Sequence, residues 1–161
     1  MAAESPSPSD RISAAVQKLI PVAQKLNSAS EGLSKPVADL EASLKRLNLG
    51  VASWTNLSKS EDSHGFHTEW DLGYARHEGR WGIVLRHTKG SRSYPDQEDE
   101  DTWFFNDAPR FMKSKAVDML PELIEGLVAV SDKTAEKLLR KTPVAQELAG
   151  AVAVLLDPKK K

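Results

Sequence analysis

Polar side chains able to carry chemistry concentrate in the middle of the sequence. His67, Glu69 and Asp71 alternate along one predicted strand, and Arg86 lies opposite Asp71 when that strand pairs with the next. Carboxylates beside an imidazole and a guanidinium can act as general acid and base, or bind a polar ligand. The same pattern is typical of a solvated sheet face whose cross-strand ion pair contributes under about 1 kcal/mol. We favour this second interpretation.

A second candidate site is a metal site formed by Asp62, His64 and His67, because imidazole and carboxylate make a reasonable zinc or iron ligand set. Residues three apart in a strand point to opposite faces, so both histidines can bind one metal only if Gly65 turns the chain. A loop histidine pair without a metal is the simpler interpretation, and no cofactor is predicted. The acidic stretch 96–101 lacks the glycine and closing glutamate of an EF-hand loop and is expected to be a solvated connection.

Sequence motifs of common enzyme classes are missing. The sequence contains no P-loop, no G-x-S-x-G, no H-E-x-x-H and no G-x-G-x-x-G pattern. Because there is no cysteine, disulfides, thiol nucleophiles and thiolate metal sites are excluded. The sequence therefore favours a non-enzymatic protein.

The lack of cysteine fits a reducing compartment, and the first residues do not resemble a signal peptide, so we expect a cytoplasmic location.

The near-neutral charge of the 161-residue chain conceals a division into three parts. Segment 51–108 holds 6 basic and 11 acidic residues, together with every tryptophan and every histidine. Aromatic residues favour strands, whereas the Ala, Leu, Lys and Glu of the two flanks favour helices.

An acidic aromatic segment argues against a nucleic-acid partner. No apolar run approaches the roughly 18 residues of a membrane span, so no membrane partner is predicted either.

The central segment predicts a four-stranded antiparallel meander. Strands are expected at 51–57, 66–76, 80–89 and 102–106, with a tight turn at 78–79 and a long loop at 90–101. The turn places Leu72 opposite Leu85 and collects the large apolar side chains on one face. Small residues at 73, 75 and 82 leave part of the polar face almost bare, which indicates close approach by another element or local twist.

The N-terminal flank carries the strongest periodic signal in the chain. Apolar residues occur at 12, 16, 19, 23, 26, 33, 37, 40, 44 and 47, and only Ser30 interrupts this heptad spacing. Two prolines, 21 and 36, would each cost about 3 kcal/mol inside a helix. We therefore expect two helices, 10–29 and 35–48, with one bent helix as the alternative. Such a stripe needs a partner surface, which is either this chain's own C-terminal helices or a second copy. The residues proposed for that interface are Leu33, Val37, Leu40 and Leu44.

The C-terminal flank predicts a helix at 110–130 that kinks or restarts at Pro121, and a further helical stretch that breaks at 142–143. Residues 1–9 are expected to be a disordered leader and 158–161 a basic tail, with a single domain over 10–157.

These patterns together predict an α+β fold. It consists of N-terminal heptad-patterned helices, a four-stranded antiparallel meander and C-terminal helices packed on one sheet face. The function we expect is a protein–protein interaction or assembly module, with a homo-oligomer or another protein as partner. The alternatives are a small-molecule-binding protein or hydrolase that uses the polar sheet face, and a His/Asp metal-binding protein.

Overall fold

A computed structural model describes residues 7–156, in which the chain forms a sheet flanked by helices. The elements are α1 (Pro8–Leu47), β1 (Ser53–Glu61), β2 (Phe66–His77), β3 (Arg80–Ser91), β4 (Tyr94–Phe104), a 3₁₀ helix η1 (Phe105–Asp107), α2 (Arg110–Asp118) and α3 (Leu120–Leu156). This order confirms the predicted α+β class. Residues 1–6 of the predicted leader, and all of the predicted basic tail, lie outside the described residues. Within 7–156, no helix has both the length and the apolar character needed to cross a membrane.

The four strands form one antiparallel sheet in the order β1-β2-β3-β4, which confirms the meander. The β2–β3 hairpin has the predicted register, with Leu72 opposite Leu85. Glu78 and Gly79 turn the chain with φ values of 48° and 81°. Two consecutive positive φ values suit a two-residue hairpin, because the twist of the turn then matches the twist of the strands.

The loop predicted at 90–101 is wrong, because most of it is the paired strand β4. Asp99, Glu100 and Asp101 lie opposite Lys89, Thr88 and His87 of β3. Acidic residues have low strand propensity, and for this reason the first part of β4 was not predicted from the sequence. An edge strand tolerates them because its side chains remain in water, and the acidic row discourages pairing with the edge of another sheet. The first strand is also displaced, since β1 extends to Glu61.

The two helices predicted for the N-terminal flank are one continuous helix. The Ser7 hydroxyl caps α1 by accepting a hydrogen bond from the Asp10 N–H at 3.2 Å, and Asn48 ends the helix with a φ of 49°. Both prolines, 21 and 36, lie inside the helix. Beyond Pro36, the buried side chains of Val37 and Leu44 hold the helix on the sheet, which offsets the hydrogen bond lost at that proline.

The C-terminal flank restarts where it was predicted to. The helix α2 ends at Asp118, and Pro121 lies in the first turn of α3, where a missing N–H is tolerated. The break predicted at 142–143 is wrong, because α3 continues through Pro143 to Leu156.

The hydrophobic core lies between the sheet and the helices, on the face predicted to be aromatic. Tyr74, Ile83 and Leu85 are almost fully buried on the central strands. They pack with side chains from all three α-helices: Val37, Leu44, Met112, Leu123 and Leu127. Each large apolar side chain buried in this way contributes roughly 1.5–3 kcal/mol, so this layer supplies most of the driving force for folding.

Aromatic side chains from the two edge strands cover the bare patch on the opposite face. A Cβ at Gly73 would lie 2.4 Å from the indole of Trp54, and one at Gly82 would lie 2.8 Å from the ring of Phe104. The close approach predicted at these small residues is therefore confirmed. Together with Ala75 and Val84, the two rings form a second, smaller core.

Candidate functional site

Of the four residues predicted on the polar sheet face, Glu69, Asp71 and Arg86 lie close together. Asp71 is buried, and its Oδ2 accepts hydrogen bonds from Arg86 Nη2 at 3.0 Å and from Nε at 3.3 Å. Asn56 on β1 donates to Asp71 Oδ1 at 3.1 Å and to Glu69 Oε1 at 2.9 Å. His67 lies apart from them, with its Nε2 3.2 Å from Oε1 of Glu98 on β4.

The guanidinium of Arg86 is held from two sides. Besides its bonds to Asp71, its central carbon lies 4.0 Å from the ring centroid of Trp54, a cation–π contact. The sequence interpretation missed Trp54 and Asn56, although they alternate along β1 and so must share one face of the sheet. The missing information was the pairing of β1 with β2, which the composition of the first strand did not define.

The arrangement of this face favours a structural role over acid–base chemistry. Both carboxylate oxygens of Asp71 are engaged by Arg86 and Asn56, so neither is free to take a proton from a substrate. Cavities of the described chain lie beside the helices, for example near Lys113 and near Val128, and the polar cluster lies on the other face of the sheet. The cluster fastens β1 to the two central strands.

The three predicted metal ligands are not assembled around a common point. Gly65 does turn the chain, with a φ of 78°. However, Asp62 Oδ1 accepts the backbone N–H groups of His64 at 2.9 Å and Phe66 at 3.0 Å, and His67 faces β4. Across residues 7–156, no group of three or more His, Asp or Glu side chains is placed to hold a metal ion.

The residues predicted to form an interface belong largely to the core of their own chain. Val37 and Leu44 are 5% and 6% exposed, and both contact the main core cluster. Leu33 and Leu40 are half-buried. Because their surface is already covered within the chain, Val37 and Leu44 leave little area for contact with a second copy. The middle of the stripe packs on the sheet, whereas the partners named for the stripe were the C-terminal helices and a second copy.

The apolar stripe remains exposed on the parts of the long helices that extend past the sheet. We define the α1 arm as residues 8–29 and the α3 arm as residues 132–156. Side chains at least 48% exposed include Ile12, Val16, Leu19 and Leu26 on the first arm, and Leu138, Val144, Leu148, Val152 and Leu155 on the second. A 40-residue helix is about 60 Å long, whereas four strands about 4.8 Å apart form a much narrower sheet. The sheet is therefore too small to cover both helices.

An apolar groove lies at the base of the α3 arm. It has a volume of about 420 Å³, and its walls include Leu47 at the end of α1, Leu49 just after it, and Val128, Ser131 and Ala135 on α3. Leu47 and Val128 are each about two-thirds exposed. Because Ala135 precedes Leu138 by one turn, the groove and the stripe of the α3 arm form one continuous apolar surface.

His87 is a titratable residue of the sheet that the sequence interpretation did not single out. Its ring stacks on Trp70 with a centroid distance of 4.1 Å and an interplanar angle of 14°. Burial lowers the pKa of His87, the nearby Lys89 lowers it further, and Asp101 opposes the shift. The neutral imidazole is therefore the form that the folded protein favours.

Comparison of the chain with models of protein families, with curated proteins and with solved structures found no match. Function is therefore inferred from the geometry and chemistry of the described residues.

Proposed function

We propose that this protein is a non-enzymatic assembly module that forms a homodimer through its α3 arms. The observation that carries the proposal is the row of exposed apolar side chains on that arm, among them Leu148, Val152 and Leu155. In proteins, most of the stability of an amphipathic helix comes from the packing of its apolar face against another surface. Removal of this face from water supplies the driving force for association.

The spacing of the stripe supports a second copy as the partner. On α3 the positions 128, 131, 135, 138, 145, 148, 152 and 155 follow one face of the helix. If two α3 helices pair in antiparallel orientation about residues 141–142, Leu148 meets Ala135, Val152 meets Ser131 and Leu155 meets Val128. Every one of these contacts then occurs twice, as a two-fold symmetric interface requires.

The composition of the two ends of the arm supports the same orientation. Residues 148–156 form a tip without a single charged residue, whereas 132–147 holds four basic and three acidic residues. Antiparallel pairing places each apolar tip in the apolar groove of the other copy, at Val128 and Leu47. The near-neutral charge of the remainder causes little repulsion between identical arms.

Sedimentation equilibrium at micromolar concentration tests the proposal. Wild-type protein is expected at twice the chain mass of 17.7 kDa. Leu148→Glu places a charge on the stripe and is expected to weaken the dimer at least tenfold. Gln146→Glu adds the same charge to the same turn but off the stripe, so it is expected to remain dimeric. Residue 148 lies outside the core, and the near-ultraviolet circular dichroism of both variants should match the wild type.

A monomeric wild-type protein at 100 µM would overturn the proposal. So would a Leu148→Glu variant that dimerises as tightly as Gln146→Glu, because the stripe would then not be the interface.

A further inference from the structure

Lys113 of α2 is a buried lysine with an incompletely satisfied charge. It is 5% exposed, and its Nζ donates one hydrogen bond, to the carbonyl oxygen of Asn106 at 2.7 Å. Among the described residues, no carboxylate lies within the 4.0 Å of an ion pair with this ammonium group. Burial of a charge without an ion-pair partner is costly, and within residues 7–156 the ammonium group is compensated directly only by the Asn106 carbonyl and by the ring of Phe105, whose centroid is 5.7 Å away.

A polar cavity adjoins this lysine, between the middle of α1, η1 and the start of α2. Its volume is about 590 Å³, within the range of small-molecule sites. Polar side chains on its walls include Ser30, Glu31, Ser34, Asp107, Arg110 and Lys113. A hydrogen bond of 2.9 Å from Arg110 Nη2 to Asn27 Oδ1 joins α2 to α1 beside the cavity.

Charges of opposite sign occupy different walls of the cavity. Both cations, Arg110 and Lys113, belong to α2, and no side chain caps the backbone N–H groups of its first turn. The carboxylates come from the other two elements, Glu31 from α1 and Asp107 from η1. The α2 wall therefore favours a negative group, and the carboxylates of α1 and η1 favour a positive or hydrogen-bond-donating group.

We propose that this cavity binds a zwitterionic small molecule of amino-acid size. Its carboxylate accepts hydrogen bonds from Lys113 and Arg110, and its ammonium group faces Glu31 and Asp107. Two carboxylates in the lining balance the two cations, so a dipolar ligand fits the site better than a simple anion does. Burial of Lys113 and its proximity to Arg110 lower the pKa of its amine, Asp107 opposes that shift, and a bound carboxylate would oppose it further. The site is separate from the helical arms and does not rest on the proposed dimer.

Isothermal titration calorimetry with the free amino acids tests the proposal. At least one amino acid is expected to bind saturably, with one site per chain. Two analogues of that compound, the acid without its amino group and the amine without its carboxylate, are expected to bind at least tenfold more weakly. Loss of a hydrogen bond to a charged group typically weakens binding by about tenfold or more.

Matched variants locate the binding site. Lys113→Met keeps the apolar length of the side chain but removes its charge, and it should weaken binding at least tenfold. Lys115→Met alters an exposed lysine of the same helix and should bind as the wild type does. Arg110→Gln changes an exposed residue and provides an independent test if Lys113→Met does not fold.

Three results would overturn the proposal. The first is the absence of saturable binding by any amino acid. The second is unchanged binding in Lys113→Met or, if that variant does not fold, in Arg110→Gln. The third is equal affinity for the acid that lacks the amino group, because the cavity would then be a simple anion site.

Discussion

The indole ring of Trp54 lies directly on the backbone of Gly73, its partner across the β1–β2 ladder. A similar contact occurs at the other edge of the sheet, where Phe104, the ladder partner of Val84, places its ring over Gly82. In both cases a central strand lacks a side chain where an edge strand contributes an aromatic ring. This exchange gives the sheet a small apolar core on the face that the helices leave uncovered.

Replacement of Gly73 by alanine should destabilise the protein. The added Cβ would lie 2.4 Å from the Trp54 ring, and we expect a loss of about 1–3 kcal/mol because the ring must move. Urea unfolding followed by tryptophan fluorescence measures this loss. Gly32→Ala is the control, because nothing lies within 4 Å of its added Cβ, and a helical Gly→Ala change should stabilise by about 0.5–1 kcal/mol. Equal effects at the two positions would contradict the close approach of Trp54.

Arg86→Met should destabilise the sheet more than removal of an exposed cation does. The substitution leaves the buried Asp71 carboxylate with Asn56 alone, and we expect a loss of about 1–3 kcal/mol. Lys59→Met removes the exposed partner of Glu69 and should cost under about 1 kcal/mol. Chemical denaturation at pH 7 compares the two variants. If Lys59→Met proved as damaging as Arg86→Met, the role assigned to Arg86 would be wrong.

His87 should make the protein less stable in mild acid. Because burial lowers its pKa in the folded state, the unfolded chain binds a proton more readily, starting near its ordinary value of about 6.5. Stability should therefore fall as the pH decreases from 7 through 6.5 and down to the pKa of the folded state. His87→Gln should lack this part of the pH dependence. NMR titration of the imidazole checks the direction, and a folded-state pKa above 6.5 would contradict it.

Cysteine cross-linking should report the orientation of the α3 arms, since the chain has no native cysteine. The double variant Val128→Cys with Leu155→Cys should form a covalent dimer under mild oxidation. Leu155→Cys alone should not, because antiparallel pairing separates the two copies of residue 155 by about 40 Å. Efficient cross-linking of the single variant, seen on a non-reducing gel, would indicate parallel pairing instead.

Local patterns in the sequence predicted the β2–β3 hairpin and the helical restart before Pro121. Both depend on neighbouring residues, namely the alternation of apolar side chains and the conformational limits of proline. The acidic first part of β4 was not predicted, and a continuous α1 was only the alternative to two helices. Acidic residues and two prolines argue locally against them, and the pairing of β4 with β3 and the packing of Val37 and Leu44 outweigh that local preference.

The candidate sites, too, could be predicted from the sequence only where they depend on residues that are close in the chain. The hairpin register placed Arg86 opposite Asp71 correctly, but Asn56 and Trp54 reach the cluster only through the pairing of a different strand. Lys113 resembles any lysine of an amphipathic helix in the sequence. Its burial depends on how α2 packs against η1, and the spacing of residues in the sequence does not show this packing.

By itself, the sequence determined the types and order of the elements and which sheet face is apolar, because side-chain periodicity differs between helix and strand. Only the tertiary structure decided which half of each long helix is covered. An apolar stripe has the same spacing whether it is buried or exposed, and the narrow sheet covers only the residues that cross it. The exposed remainder of α3, from Leu138 to Leu156, is the surface on which the proposed assembly depends.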